Sequence, residues 1–200
     1  MPPFTIVPHK VSTRFTDPIV APLARIGVTP NMISMFGFGG NVAAGALAAG
    51  GHVLWAGAVM LVFSALDLLD GALARRTGTV TKFGAVFDSV LDRLSEAAVL
   101  GGLLFHYTEV GGHTQEIVLC YAAVVGSIMV SYVRARAEGE GLTLREGLFT
   151  RAERVILLGG ALVIGHGVVL WALWLLAVLS HLTAAQRVAT VWQRLRNNGS

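Results

Sequence analysis

Charge is scarce in this sequence. Asp, Glu, Lys and Arg make up 14% of the 200 residues, while 54% are hydrophobic. A water-soluble domain of this size cannot cover its surface with so little charge. Cysteine is almost absent: Cys120 stands alone inside an apolar run, which excludes an intrachain disulfide framework. The basic residues nowhere form a stripe interleaved with aromatics, so nothing points to nucleic acid. Residues 1–8 lack a basic segment followed by an apolar core, and no cleavable signal is expected. The polar stretch 197–200 is expected to be disordered.

Long apolar runs are what the chain has instead. Across 33–66 only His52 and a few small polar groups interrupt, and the mean hydropathy is +0.66. A bilayer core about 30 Å thick needs roughly 20 apolar residues per helix. The pattern predicts an all-α integral membrane protein, one domain over residues 1–200. Six transmembrane helices are expected at roughly 31–50, 53–74, 83–107, 116–137, 153–168 and 169–190. The last two are divided at Gly165 to Gly167. Ahead of them, Phe15, Ile19, Leu23 and Ile26 recur at helical spacing among Lys10, Arg14, Asp17 and Arg25. This predicts an amphipathic interfacial helix over about 9–27.

Lys and Arg set the orientation. Lys10, Arg14 and Arg25 precede the first span; Arg75, Arg76, Lys82 and Arg93 surround the second connection. Arg134, Arg136, Arg145, Arg151 and Arg154 surround the fourth, and Arg187, Arg194 and Arg196 close the chain. The first, third and fifth connections have none. Both termini are therefore expected on the cytoplasmic side of a cell membrane, with the basic clusters facing anionic headgroups and phosphates.

Acids inside apolar helices carry the chemistry. Asp67 and Asp70 lie three residues apart, Asp88 and Asp92 four apart, so each pair occupies one helical face. Two antiparallel spans joined by a short loop bring both pairs to the cytoplasmic end. Four carboxylates in a low-dielectric setting repel one another, and a single buried unpaired charge already costs several kcal/mol. A cation must lie among them. Hard oxygen ligands point to Mg²⁺, with Mn²⁺ as a substitute, and two ions about 4 Å apart suit phosphoryl chemistry. Intramembrane acids also build proton relays and the cation sites of transporters, although no internal repeat is visible here.

The run Asp67-x-x-Asp70-Gly71-x-x-Ala74-Arg75-x8-Gly84-x3-Asp88-x3-Asp92 resembles the signature of the CDP-alcohol phosphatidyltransferases at every position. The segments Gly78 to Gly84, Asp88 to Glu96 and Ser131 to Glu138 are most similar to the phosphatidylinositol phosphate synthase branch, actinobacterial or archaeal. The resemblance implies transfer of a phosphatidyl group from CDP-diacylglycerol to 1D-myo-inositol 3-phosphate by attack on the β-phosphorus, with CMP leaving. It implies two metal ions on Asp67, Asp70, Asp88 and Asp92, with Asp67 and Asp88 touching both and Asp92 also the general base. It places the CDP-lipid donor near Asn31, Met32, Ile33, Ser34, Gly71, Ala74, Arg75 and Thr81. The acceptor's phosphate falls to Ser131, Arg134, Arg154 and Arg187. It also implies a homodimer, and glycerol 3-phosphate is the alternative acceptor. Other readings stay open: Asn31 and Thr81 as helix caps, and the three arginines as headgroup anchors at helix ends. Glu96, one turn beyond Asp92, is expected to pair with Arg93.

Overall fold

The computed structural model describes residues 13–144 and 147–198. Residues 9–12 of the expected interfacial helix, Lys10 among them, lie outside the described residues. So do Arg145, the last two residues of the polar tail, and the side chains of Arg14 and Phe15. Among the described residues every regular element is an α-helix: α1 Thr13–Arg25, α2 Pro30–Ala49, α3 Val53–Ser64, α4 Asp67–Thr77, α5 Lys82–Val110, α6 Thr114–Gly139, α7 Arg151–Ile164 and α8 His166–Asn198.

Local sequence explains the helix boundaries. Thr29 caps α2, its hydroxyl accepting from the Met32 N–H at 3.3 Å, and Pro30 opens the first turn. The cap is therefore Thr29 and not Asn31, which already lies inside the helix. Thr81 caps α5 by accepting from Gly84 N–H at 3.0 Å. Thr150 and Glu153 form a reciprocal capping box at the start of α7. Gly78 ends α4 at φ 66°, and Gly165 divides α7 from α8 at φ 116°, backbone that a side chain would strain.

The expected second span is formed by two helical segments joined at a tightened turn. At Ala65 and Leu66 the backbone tightens into three-residue turns, with Leu66 N–H donating to Phe63 O, Leu68 N–H to Ala65 O and Leu69 N–H to Leu66 O. α3 stops there and α4 begins at Asp67. Four helical stretches are long and apolar enough to cross a bilayer: Pro30–Ala49, Val53–Thr77, Thr114–Gly139 and Gly167–Asn197. α7, at 14 residues, spans only about 21 Å, and α5 carries Asp88, Asp92, Arg93, Glu96 and Glu109 along its length.

The principal helix contacts close a ring, α2–α5–α6–α8–α7–α3 and back to α2, while α4 packs on α2 and on α1. Inside the ring lie Ala44, Met60, Leu100, Leu103, Leu158, Leu173 and Leu176, all fully buried. Large apolar groups also cover the outside, Trp55, Phe105, Tyr121 and Trp171 each more than half exposed, as a lipid-facing surface requires. α1 buries Val20 against a cluster holding Leu73 and Leu23, leaving Ile19 and Ile26 exposed. The face it turns to the protein is thus centred on Val20, whereas the sequence periodicity placed Ile19 and Ile26 with Leu23.

Glycine sets the closest approach in the ring. A Cβ on Gly102 would lie 2.0 Å from Gly45 O, and one on Gly45 would lie 2.4 Å from Ala98 O; α2 and α5 touch backbone to backbone. Gly102→Ala should destabilise the fold by about 1–3 kcal/mol. Gly101→Ala, with nothing within 4 Å of the added carbon, should be nearly silent. Thermal unfolding in detergent micelles compares the two, and equal midpoints would contradict this contact.

Candidate active site

The tightened turn at Ala65 and Leu66 launches α4 with Asp67 in its first position and Asp70 one turn on. α5, started by its Thr81 cap, presents Asp88 and Asp92. Carboxylate oxygens of Asp67, Asp70 and Asp88 lie within 4.8 Å of one another. Asp70 is buried, and its Oδ2 accepts from Ser34 Oγ at 2.7 Å. Asp88 Oδ1 is buried with no hydrogen-bond partner. Asp67 Oδ2 meets Arg151 Nη1 at 2.5 Å, and Asp92 Oδ1 meets Arg151 Nη2 at 3.0 Å. Arg93 Nη1 stands 3.7 Å from Asp92 Oδ2 and also donates to Ser89 O.

Three converging acids, one with an orphaned buried oxygen, fit a hard divalent cation, since such an oxygen keeps its desolvation cost until a cation or donor meets it. Asp92 stands outside this trio and is joined to it through Arg151. The sequence reading did not include Arg151 among the site residues, although its i,i+3 spacing from Arg154 on α7 puts both on one face.

Two cavities flank the acids. The larger, about 680 Å³, is walled by Asn31, Ser34, Asp70, Gly71, Ala74, Arg75, Thr81, Gly84 and Asp88, with Ala24 and Val28 from the α1 end. It gathers six of the eight residues expected at the donor. Met32 is not among its walls and lies exposed at 57%, and Ile33 is buried in the cluster with Val20 and Leu73. At Gly71 a Cβ would come within 3.2 Å of Arg75 Nη1: the bare glycine lets the guanidinium fold back along its own helix.

The smaller cavity, about 250 Å³, is lined by Arg93, Ser131, Arg134, Thr150, Arg151, Arg154 and Arg187. All four expected acceptor residues meet there, from α6, α7 and α8. Each arginine is already engaged. Arg134 Nε donates to Glu138 at 2.9 Å on an exposed helix face. Arg187 Nη1 donates to Val130 O at 2.6 Å. Arg154 is buried and forks onto Glu96, Nε to Oε1 at 2.8 Å and Nη2 to Oε2 at 3.0 Å. Glu96 therefore pairs with Arg154 and not with Arg93, because α7 lies across the ring from this turn of α5. The acids lie between the cavities: Asp70 and Asp88 wall one, while Arg151, bound to Asp67 and Asp92, walls the other.

Arg151 is the cation that the protein itself supplies to Asp67 and Asp92. Arg151→Met should lower the thermal midpoint in EDTA, by a loss of about 1–3 kcal/mol. Excess Mn²⁺ should restore much of it by supplying another cation. A midpoint unchanged in EDTA would show that the pairing contributes nothing.

The sequence profile described as CDP-alcohol phosphatidyltransferase matches residues 27–190. The chain is 38% identical over 192 residues to a phosphatidylinositol phosphate synthase of Mycobacteroides abscessus, covering 93% of this chain and 87% of that one. It is 37% identical over 192 residues to an archaetidylinositol phosphate synthase of Methanothermobacter thermautotrophicus, covering 94% of each. The fold is similar to the Mycobacterium tuberculosis phosphatidylinositol phosphate synthase crystallised with CDP-DAG (TM-score 0.80, 35% identity, 90% of this chain and 94% of that one). It is likewise similar to the same enzyme in complex with manganese and citrate (TM-score 0.79, 37% identity, 88% of each). With its complete aspartate signature gathered at one end of a helical ring, this chain belongs to the CDP-alcohol phosphatidyltransferase family.

Proposed function

We propose that this membrane-embedded enzyme transfers the phosphatidyl group of CDP-diacylglycerol to 1D-myo-inositol 3-phosphate, giving phosphatidylinositol phosphate and CMP. The observation that carries the reading is the pair of cavities meeting at one carboxylate group, one of about 680 Å³ walled by Asp70, Asp88, Gly71 and Arg75 and the other lined by five arginines. The similar proteins named as phosphatidylinositol phosphate synthases support the acceptor.

Each residue has a task in this reaction. Asp67, Asp70 and Asp88, with Asp92, would hold two Mg²⁺ or Mn²⁺ ions; when bound, these neutralise the pyrophosphate oxygens and favour departure of the leaving group. Asn31, Ser34, Gly71, Ala74, Arg75 and Thr81 receive the cytidine and phosphate end of the donor, with Met32 and Ile33 setting the start of α2. Arg134, Arg154 and Arg187, with Ser131, hold the acceptor's phosphate dianion by charge-assisted hydrogen bonds. Asp92 takes the proton of the acceptor hydroxyl as its oxygen attacks the β-phosphorus. The bond from that phosphorus to the bridging oxygen breaks, and CMP carries the electron pair away.

The membrane arrangement belongs to the same proposal. Six spans are formed by α2, α3 continued by α4, α5, α6, α7 and α8, with α1 lying at the interface. Both termini and the site face the cytoplasm of a cell membrane, the chain acts as one domain, and two copies form a homodimer. The positive-inside distribution of Lys and Arg supports this orientation.

Turnover should depend absolutely on a divalent metal. CMP release measured in excess EDTA should fall to background, and Asp67→Asn or Asp88→Asn should abolish both activity and calorimetric Mn²⁺ binding. Persistent turnover in EDTA would refute the metal mechanism. Removing Arg134 or Arg187 should act on the acceptor alone. A charge-assisted contact is worth about 1.5–3 kcal/mol, so acceptor kcat/KM should drop roughly ten- to a hundredfold with donor KM nearly constant. Equal losses for both substrates would return these arginines to headgroup anchoring. In direct competition, faster consumption of glycerol 3-phosphate would overturn the inositol assignment and leave the family chemistry intact.

A further inference from the structure

Glu96 has no part in the reaction as described, yet it is one of the most deeply buried ionisable groups, 4% exposed. Its carboxylate accepts three hydrogen bonds: from Arg154 Nε at 2.8 Å, Arg154 Nη2 at 3.0 Å and Ser127 Oγ at 2.6 Å. Arg154 Nη1 also donates to Phe149 O at 3.4 Å. Three helices, α5, α6 and α7, thus meet at one carboxylate.

A guanidinium is planar and has five N–H donors in a fixed fork. Glu96 grips the edge made by Nε and Nη2, so the plane and the direction of the remaining donors are set. Arg154 lines the small cavity while Glu96 and Phe149 do not; the carboxylate therefore holds the guanidinium from behind. A buried ion pair is not needed for stability as such, because well-packed apolar residues often do as well. Its geometry is the more informative property. Glu96 follows Asp92 by four residues on α5, about one helical turn. The helix that carries the proposed base also fixes a cation in the cavity beside it.

We propose that Glu96 is a positioning residue for the acceptor site. Buttressed by Ser127, it locks the Arg154 guanidinium at a set distance from Asp92, so that a bound acceptor's phosphate and its reacting hydroxyl fall in register. This rests on reading the arginine-lined cavity as the acceptor-phosphate site. Glu96→Gln keeps the shape and the Nε contact but replaces one accepting oxygen with an N–H₂ group facing Arg154 Nη2.

The test uses the purified full chain in detergent micelles with CDP-diacylglycerol and 1D-myo-inositol 3-phosphate. Glu96→Gln should raise the acceptor KM about tenfold, keep the donor KM within about twofold, and add little when combined with Arg154→Ala. Ser127→Ala removes only the buttressing hydroxyl. It should raise the acceptor KM about threefold, and it serves if Glu96→Gln does not fold. A lowered thermal midpoint with equal effects on both substrates would make Glu96 structural and overturn the proposal. So would an unchanged acceptor KM in Glu96→Gln and Ser127→Ala while Arg154→Ala raises it. If Arg154→Ala itself leaves the acceptor KM unchanged, the cavity reading falls and this inference falls with it.

Discussion

Like charges brought together out of water govern this structure. Asp67, Asp70, Asp88 and Asp92 end up at one end of apolar helices, where their mutual repulsion and lost hydration act against folding. The protein answers each acid differently. Ser34 donates to Asp70, and Arg151 spans Asp67 and Asp92. Asp88 keeps a buried oxygen with no hydrogen-bond partner. What remains is an anionic pocket with a hard-oxygen donor set, and that is what a metal-dependent phosphotransferase needs.

The same constraint sorts the arginines. Arg134 and Arg136 pair with exposed acids four residues on, Glu138 in α6 and Glu140 at its cap, contacts that contribute little and leave the charge available to a ligand. Arg154 is sealed against Glu96, and Arg187 is tied to the Val130 carbonyl. The small cavity therefore combines cations fixed by burial with one at its wet rim. A phosphate dianion entering it would meet directional donors already in place, which lowers the ordering cost of binding.

Backbone proximity places these side chains. The Gly45–Gly102 contact lets α2 and α5 touch without intervening side chains, and Ser34 of α2, Asp70 of α4 and Asp88 of α5 wall the same cavity. The tightened turn at Ala65 and Leu66 then lets α4 start on Asp67.

Much was legible from residue order alone. The apolar runs and the pairing of Asp67 with Asp70 and of Asp88 with Asp92 point to a helical membrane protein with acids on shared helix faces, because period and spacing are local properties, and the family resemblance of that run adds the enzyme class. The convergence of Arg134, Arg154 and Arg187 follows from their common level at helix ends, and Ser131 joins them through the family resemblance. Other features needed the folded chain. Sequence order does not reveal that Arg151 bridges two acids, that Glu96 faces Arg154 across 58 positions, or that Met32 and Ile33 are not among the walls of the large cavity. Nor does it show which face of α1 packs on α4. Those outcomes depend on the rotation and neighbour of each helix in the ring, and both are decided by packing between segments distant in sequence.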